Sequence, residues 1–178
     1  VINNVQFLLE RSGSGTGYTR GMVNSFLMRN GLPIYASGSG YDSNWEKQGV
    51  TATLQNRDSR IQIFTKRDGD VNCYDEDGSP ELFDLTWVAS GINQNRNTTG
   101  FSIKKYKHYN SRFTFTHDYG TTGSLVFRGA EALLNYMEAS YERNGTLDAS
   151  AREYWQLIRR RAYVSEDIDK TISKIEFR

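Results

Sequence analysis

The stretch Phe127–Val164, FRGAEALLNYMEASYERNGTLDASAREYWQLIRRRAYV, decides the fold class. Its first apolar residues, Ala130, Leu133, Leu134, Met137 and Tyr141, fall three and four apart, which is one face of a helix. Asn144-Gly145 supplies the stop, with glycine suited to the left-handed position after the last turn. Asp148 is placed to cap a second helix over Ala149–Ala162, whose inner stripe is Ala151, Tyr154, Trp155, Ile158 and Ala162. Arg159, Arg160 and Arg161 fall in its last turn, where cations complement the helix dipole. The short connection predicts an antiparallel helical hairpin. Ser165 is expected to cap a last short helix, with Asp167 and Asp169 in its first turn. One hairpin cannot bury both its faces, and helical arrays need about three such units. The pattern has no second copy in these residues, so its neighbours are expected upstream of Val1 or in another chain. Val1–Glu10, VINNVQFLLE, already reads as a helix face under way, with Ile2, Val5, Leu8 and Leu9 apolar.

Working back from the hairpin, residues 1–126 read as hairpins and long loops, and 127–178 as the helical hairpin and tail. The expected class is therefore α+β, within a larger helical array. Arg11–Gly17 is a flexible Gly/Ser segment. Met22–Met28 and Leu32–Tyr35 flank Arg29-Asn30-Gly31, a β-hairpin signal because Asn and Gly both accept positive φ. Pro33 limits the second strand to a short stretch. Ala36–Gly49 reads as loop, Ile61–Thr65 as an extended segment, and Lys66–Pro80 as an acidic, turn-rich loop. Leu82–Ala89, with Trp87, and Phe101–Tyr109, with Lys104, Lys105 and Lys107 outward, read as strands. Ser90–Gly100 is a polar loop, and Ser111–Gly123 a further strand and turn.

The composition narrows the function classes. Lys+Arg 22 against Asp+Glu 21 leaves a net charge of +1, so no global field draws nucleic acid or anionic lipid. A single cysteine, Cys73, excludes an internal disulfide and a multi-cysteine metal site. No apolar run approaches the ~18 residues of a transmembrane helix, and no signal peptide is visible. Tyr 11 exceeds Phe 9 and Trp 3, an excess of rings with polar tips that suits sugar contacts as well as an aromatic core.

Five segments carry a family resemblance, in order along the chain. They are GMVNSFLMRNGLPIY at Gly21–Tyr35, NRDSRI at Asn56–Ile61, TTGFSIKKY at Thr98–Tyr106, FRGAEALLNYMEAS at Phe127–Ser140 and AREYWQLIRRRAYV at Ala151–Val164. Together they resemble the C-terminal portion of the SusD/RagB family of surface glycan-binding lipoproteins. Ser59 stands where that family usually has proline, and Met137 where it usually has alanine. The resemblance implies a TPR-like α-superhelix on the outer membrane, facing the cell surface and held by an N-terminal lipid that lies outside this chain. It implies non-catalytic capture of an oligosaccharide and handover to a SusC-like TonB-dependent transporter. The alternative is a scaffold that docks the transporter without touching glycan.

No catalytic or cofactor constellation competes. His108 and His117 stand in no metal-binding spacing. Ser12-Gly-Ser-Gly lacks the strand–helix context of a nucleophile elbow, and Gly13, Gly15 and Gly17 lack the lysine of a phosphate loop. Glu131 and Glu138, two turns apart on one helix, could imitate a glycosidase pair, but read as structural, with Glu131 pairing to a basic neighbour. Asp68, Asp70, Asp75, Glu76 and Asp77 offer oxygens that could take Ca²⁺, but their register departs from an EF-hand, which favours a solvated turn. The expected sugar contacts are Trp45, Tyr41, Asn44 and Tyr35. A ring meets the apolar face of a sugar, and polar neighbours meet its hydroxyls. Trp45 is expected in a solvent-facing loop, Trp87 in the core and Trp155 in helix packing.

Overall fold

A computed structural model describes residues 17–83, 99–105, 108–110 and 125–175. The expectations for Val1–Glu10, Arg11–Gly15, Trp87, most of Ser90–Gly100, Lys107, His117 and Ser111–Gly123 lie outside the described residues. In chain order the elements are α1 (Arg20–Ser25), a 3₁₀ helix (Ser43–Gln48), α2 (Val50–Thr53) and α3 (Ser59–Phe64). Then come β1 (Val71–Tyr74), β2 (Pro80–Leu82), α4 (Gly129–Asn144), α5 (Ala149–Arg161) and α6 (Ile168–Ile172). The class is α+β, mostly helical, with one small antiparallel sheet.

The chain folds as two units. The described part of the first comprises 17–23, 43–55, 61–83, 99–105 and 108–110; the second comprises 24–42, 56–60 and 125–175.

In the second unit α4 packs on α5, at the places the periodicity indicates. Gly145 takes φ 68° and returns its N–H to the Tyr141 carbonyl at 2.7 Å, ending α4. The Asp148 carboxylate accepts the Ala151 N–H at 2.8 Å and starts α5. Ala151 and Ala162 are buried at the ends of the α5 stripe, and Tyr154 meets Tyr136 edge to face at 5.2 Å. Of the α4 stripe only Met137 is buried, whereas Leu134 and Tyr141 are more than half exposed. Met137, where the resembled family usually has alanine, is a large side chain that α4 buries, and Tyr136 adds its ring to the contact with α5.

One expectation at the α5 end is corrected. Asp167, not Ser165, caps α6, its carboxylate accepting the Lys170 N–H at 3.0 Å. Arg159 lies in the last turn of α5, as expected, but is only 3% exposed and reaches back into the unit. Its Nε donates to the Ser165 carbonyl, and its terminal nitrogen donates to Thr171 Oγ1 at 2.7 Å. Thr171 Oγ1 in turn donates to the Gly31 carbonyl at 2.6 Å. Burial holds the Arg159 pKa below the usual arginine value, against the opposing charge of Asp167.

The predicted hairpin around Asn30-Gly31 is half right. The turn exists: Gly31 sits at φ 85°, Met28 N–H reaches the Leu32 carbonyl at 2.9 Å, and Asn30 Oδ1 accepts the Leu32 N–H at 3.1 Å. The flanking strands do not form. Arg20–Ser25 is helical instead, and Met28 bridges Arg57 antiparallel. A side chain on Gly31 would place its Cβ 2.5 Å from the Arg159 guanidinium, so glycine is required by space as well as by φ.

Ile61–Thr65, expected extended, is also corrected: Ser59–Phe64 is a helix. The Asp58 carboxylate accepts the Arg60 N–H at 2.8 Å and thereby favours a helix start over a strand. Buried Asp58 also holds the Arg60 guanidinium with contacts down to 2.6 Å.

In the first unit, the segment expected as an acidic, turn-rich loop, Lys66–Pro80, contains β1 and the first residue of β2. Val71 pairs with Leu82, Cys73 with Glu81 and Tyr74 with Pro80, with a bulge between Val71 and Cys73. Two turns remain, Arg67–Asp70, with Asp70 N–H to the Arg67 carbonyl at 3.0 Å, and Asp75–Ser79, closed by Asp75 N–H to the Ser79 carbonyl at 2.9 Å and by Gly78 at φ 84°. Residues 101–104 run along 64–66 through an isolated Thr65–Ile103 bridge and the Lys66 N–H to Ser102 carbonyl bond, 2.9 Å. Among the described residues, no named strand forms over Phe101–Tyr109; the pairing is this bridge and its flanking bonds. Val23, Leu54, Ile61, Cys73, Phe83 and Phe101 are buried in this unit.

Candidate functional site

The four expected sugar contacts have different surroundings. Trp45 does not project from a loop: it lies on the 3₁₀ helix and is half-buried, with its carbonyl accepting from Thr53 Oγ1 at 3.3 Å. Asn44, its neighbour on that helix, is exposed. Both belong to the first unit. Tyr35 and Tyr41 belong to the second. Tyr41 is half-buried, and the Arg57 guanidinium lies 5.7 Å from its ring centre, so one face already has a cation against it. Tyr35 is 60% exposed and is the most accessible of the three rings.

The first unit contains a cleft that the sequence reading did not single out. Gln62, Ile63, Phe64, Arg67, Lys104, Lys105 and Tyr109 line a volume of about 450 Å³. A second hollow of about 470 Å³, lined by Asp70, Val71 and Tyr74 among others, shares Lys104 and Tyr109 with it. These are ligand-sized volumes.

Local structure explains why these side chains meet. The Lys104 N–H donates to the Phe64 carbonyl at 2.6 Å, which carries Lys104 and Lys105 past the end of α3. The Gly69 and Phe83 backbones exchange hydrogen bonds across the sheet mouth, Gly69 N–H to the Phe83 carbonyl and Phe83 N–H to the Asp70 carbonyl, which fixes Asp70. The Tyr74 N–H donates to the Tyr109 carbonyl at 2.6 Å and brings the two rings to 6.4 Å, tilted by 52°. Both rings remain more than two-fifths exposed.

The ion pairs of this region centre on Asp70. Asp70 receives Lys104 Nζ at 3.0 Å, Arg67 NH2 at 3.3 Å and the Arg67 backbone N–H at 3.0 Å. Burial raises its pKa, but the Lys104 and Arg67 hydrogen bonds and their charges outweigh this, so the carboxyl stays below its usual value. The Lys105 ammonium lies 5.4 Å from the Phe64 ring centre. Two cations, Lys104 and Arg67, therefore hold the Asp70 carboxylate, and Arg67 Nε finds no hydrogen-bond acceptor among the described residues.

These residues can hold and orient a ligand. No group of three or more His, Cys, Asp or Glu among the described residues is arranged to bind a metal ion. The remaining acidic residues of the loop serve the turn, Asp77 accepting from Ser79 N–H at 2.9 Å and from Ser79 Oγ at 2.6 Å. His108 Nδ1 accepts the Asn110 N–H at 3.2 Å. Glu131 and Glu138 are exposed on α4, and Glu131 has no cationic partner among the described residues, contrary to expectation. No helix among the described residues is long and apolar enough to cross a membrane.

The signal for the cleft was present in the sequence as Lys104-Lys105 and Tyr109 close together, cations interleaved with a ring. By local pattern alone these residues form the outer face of a strand, because nothing local shows that Arg67 and Asp70 lie nearby. Among comparisons with known proteins, the family model described as the SusD family matches residues 8–175. No curated protein and no solved structure matches the chain.

Proposed function

The chain belongs to the SusD family, and on that premise we propose that it captures an oligosaccharide and passes it to a SusC-like TonB-dependent transporter. Membership points to glycan binding in nutrient uptake, in a family generally made of non-catalytic surface lipoproteins of the outer membrane. The family match over 8–175 is the observation that carries the reading. In this reading the α4–α5 hairpin is one unit of a TPR-like superhelix, whose further units cover the exposed Leu134 and Tyr141. The ligand is held without reaction, and the membrane is reached only through an N-terminal lipid beyond this chain.

Two aromatic positions support sugar contact. Tyr35 is exposed in the turn after Pro33. Trp45, with Asn44 beside it, offers a ring face and an amide for the hydroxyls. A half-buried tryptophan also packs, so its replacement tests both roles. Trp45→Ala is expected to weaken glycan binding by roughly tenfold or more, the loss for a stacking anchor. Affinity electrophoresis or calorimetry against a polysaccharide panel measures it, with Tyr35→Ala beside it. Retention of no polysaccharide by the unaltered chain, or release of reducing sugar from any of them, overturns the reading. A chain that binds no glycan but co-purifies with the transporter supports the scaffold alternative.

A further inference from the structure

The dipeptide Asn-Gly occurs twice in the chain, at Asn30-Gly31 and at Asn144-Gly145. In this pair an asparagine side chain turns most readily on its own backbone, because glycine leaves the following nitrogen unshielded and its φ and ψ free to adapt. Both glycines are left-handed, at φ 85° and 68°. Both of their N–H groups are bonded, Gly31 to the Met28 carbonyl at 2.9 Å and Gly145 to the Tyr141 carbonyl at 2.7 Å. The difference lies in the asparagine amide and in what surrounds it.

Both polar atoms of the Asn30 side chain are engaged. Nδ2 donates to the Gly38 carbonyl at 3.1 Å and to the Ser39 carbonyl at 3.0 Å, and Oδ1 accepts the Leu32 N–H at 3.1 Å. Gly31 is buried, its carbonyl accepts from Thr171 Oγ1 at 2.6 Å, and the Arg159 guanidinium stands where a Cβ would go. Freeing that amide means pulling the turn away from Arg159 and Thr171, which opens much of the unit. Asn144 is the exposed last residue of α4, and its amide makes no hydrogen bond among the described residues. A Cβ added at Gly145 would meet nothing within 4 Å. Only the bond from Gly145 to Tyr141 has to open, and that is the fraying of a helix end, among the least costly of local openings.

We propose that Asn144 is a site of spontaneous deamidation, and that the fold protects Asn30 from the same reaction. Hydroxide removes the Gly145 amide proton, and the nitrogen attacks Asn144 Cγ. The bond from that nitrogen to Cγ forms, the Cγ–Nδ2 bond breaks, and ammonia leaves with a proton from water. A second water then opens the cyclic imide. Opening at Cγ gives aspartate, and opening at the backbone carbonyl gives isoaspartate, whose main chain runs through Cβ and Cγ. The net change is amide and water to carboxylate and ammonium, with no oxidant or reductant. The product bears on the helical hairpin. A carboxylate at the C-terminal end of α4 meets the negative end of the helix dipole. Isoaspartate also lengthens the main chain just before Asp148, which receives Ser140 Oγ at 2.9 Å and Tyr136 OH at 3.2 Å across the turn. Either product removes one charge from the net +1 of the chain.

Peptide mapping by mass spectrometry tests this on the full chain held in mildly alkaline buffer, folded and in denaturant. In the folded chain Asn144 is expected to convert at least about tenfold faster than Asn30, as fits fraying against a larger opening. In denaturant the two are expected to convert at similar rates, since both are then Asn-Gly in an open chain. Asn144→Gln is expected to abolish the early acidic species on ion exchange at an unchanged melting temperature. Asn144→Asp is expected to lower the melting temperature less than ageing to isoaspartate does. Asn30 converting as fast as Asn144 in the folded chain overturns the proposal. So does an Asn144 that remains an amide in the folded chain through an incubation that converts it in denaturant.

Discussion

Arg57 and Arg159 in one unit are 0% and 3% exposed, whereas Arg67 in the other keeps 38% of its side chain exposed. The buried pair ties backbone together. Arg57 donates to the Phe26 carbonyl at 2.7 Å and lies against Tyr41, and Arg159 joins Ser165 and Thr171. Around them the Ser59 N–H meets the Ala162 carbonyl at 2.9 Å, and the Ser165 N–H meets the Arg29 carbonyl at 2.8 Å. The segments that carry the family resemblance, around Asn30-Gly31, Arg57-Asp58 and Arg159–Val164, are thus joined to one another in one unit. Their shared pattern is a pattern of construction. Arg67 makes no comparable tie and faces a cleft with two other cations. A guanidinium whose donors meet backbone carbonyls fixes a fold, whereas one beside an open hollow remains able to meet a ligand.

The largest expected effect tests the buried side of that contrast. Arg159→Ala leaves the Ser165 carbonyl and Thr171 Oγ1 without their donor and opens space under Trp155, at about 3 kcal/mol or more. Arg67→Ala is expected to cost under about 1 kcal/mol, as for a partly exposed ion pair. Chemical denaturation of both variants measures the difference. Equal losses would mean that Arg67 is packing and that the contrast fails.

Next in size is Gly31→Ala, expected at about 2 kcal/mol, because its Cβ meets the Arg159 guanidinium and its φ of 85° strains an L-residue. Combining it with Arg159→Ala is expected to cost less than the two effects added, since the clash partner is gone. Strict additivity would separate the turn from the arginine.

Acid is expected to affect the cleft through Asp70. Its folded pKa lies below the unfolded value, so its contribution is complete above about pH 4 and disappears as pH falls through the lowered pKa. Asp148 behaves in the same direction, its pKa lowered by the Ala151 N–H and then by Ser140. The melting temperature is therefore expected to be flat from these groups between pH 7 and about 5 and to fall below about 4. Asp70→Asn should flatten part of that acid limb. A limb unchanged in Asp70→Asn would show that the Lys104 and Arg67 pairs add nothing to stability.

The smallest effect belongs to Ser59→Pro, which restores the usual family residue. Proline fits the first turn of α3 but removes the N–H that reaches Ala162. The lost bond and the reduced freedom of the unfolded chain oppose each other, so the net change is expected within about 1 kcal/mol. A larger loss would make the Ser59–Ala162 bond a principal tie of this unit.

The sequence by itself determined the α4–α5 hairpin, with the bounds of α5 correct to within a residue, because its causes are local. Periodicity, an αL glycine at 145 and a capping aspartate at 148 act within one or two turns. It also determined the Asn30-Gly31 turn, whose φ only certain residues accept. Tertiary structure decided the six-residue segments Arg20–Ser25 and Ser59–Phe64, which are too short for periodicity to distinguish helix from strand. It decided the sheet as well, since β1 and β2 pair around a bulge that no alternation announces. And it decided the fate of each arginine. Side-chain type gives a charge and a set of donors, but the carbonyls of Phe26 and Ser165, or an open cleft beside Asp70, are brought to it only by the folded chain.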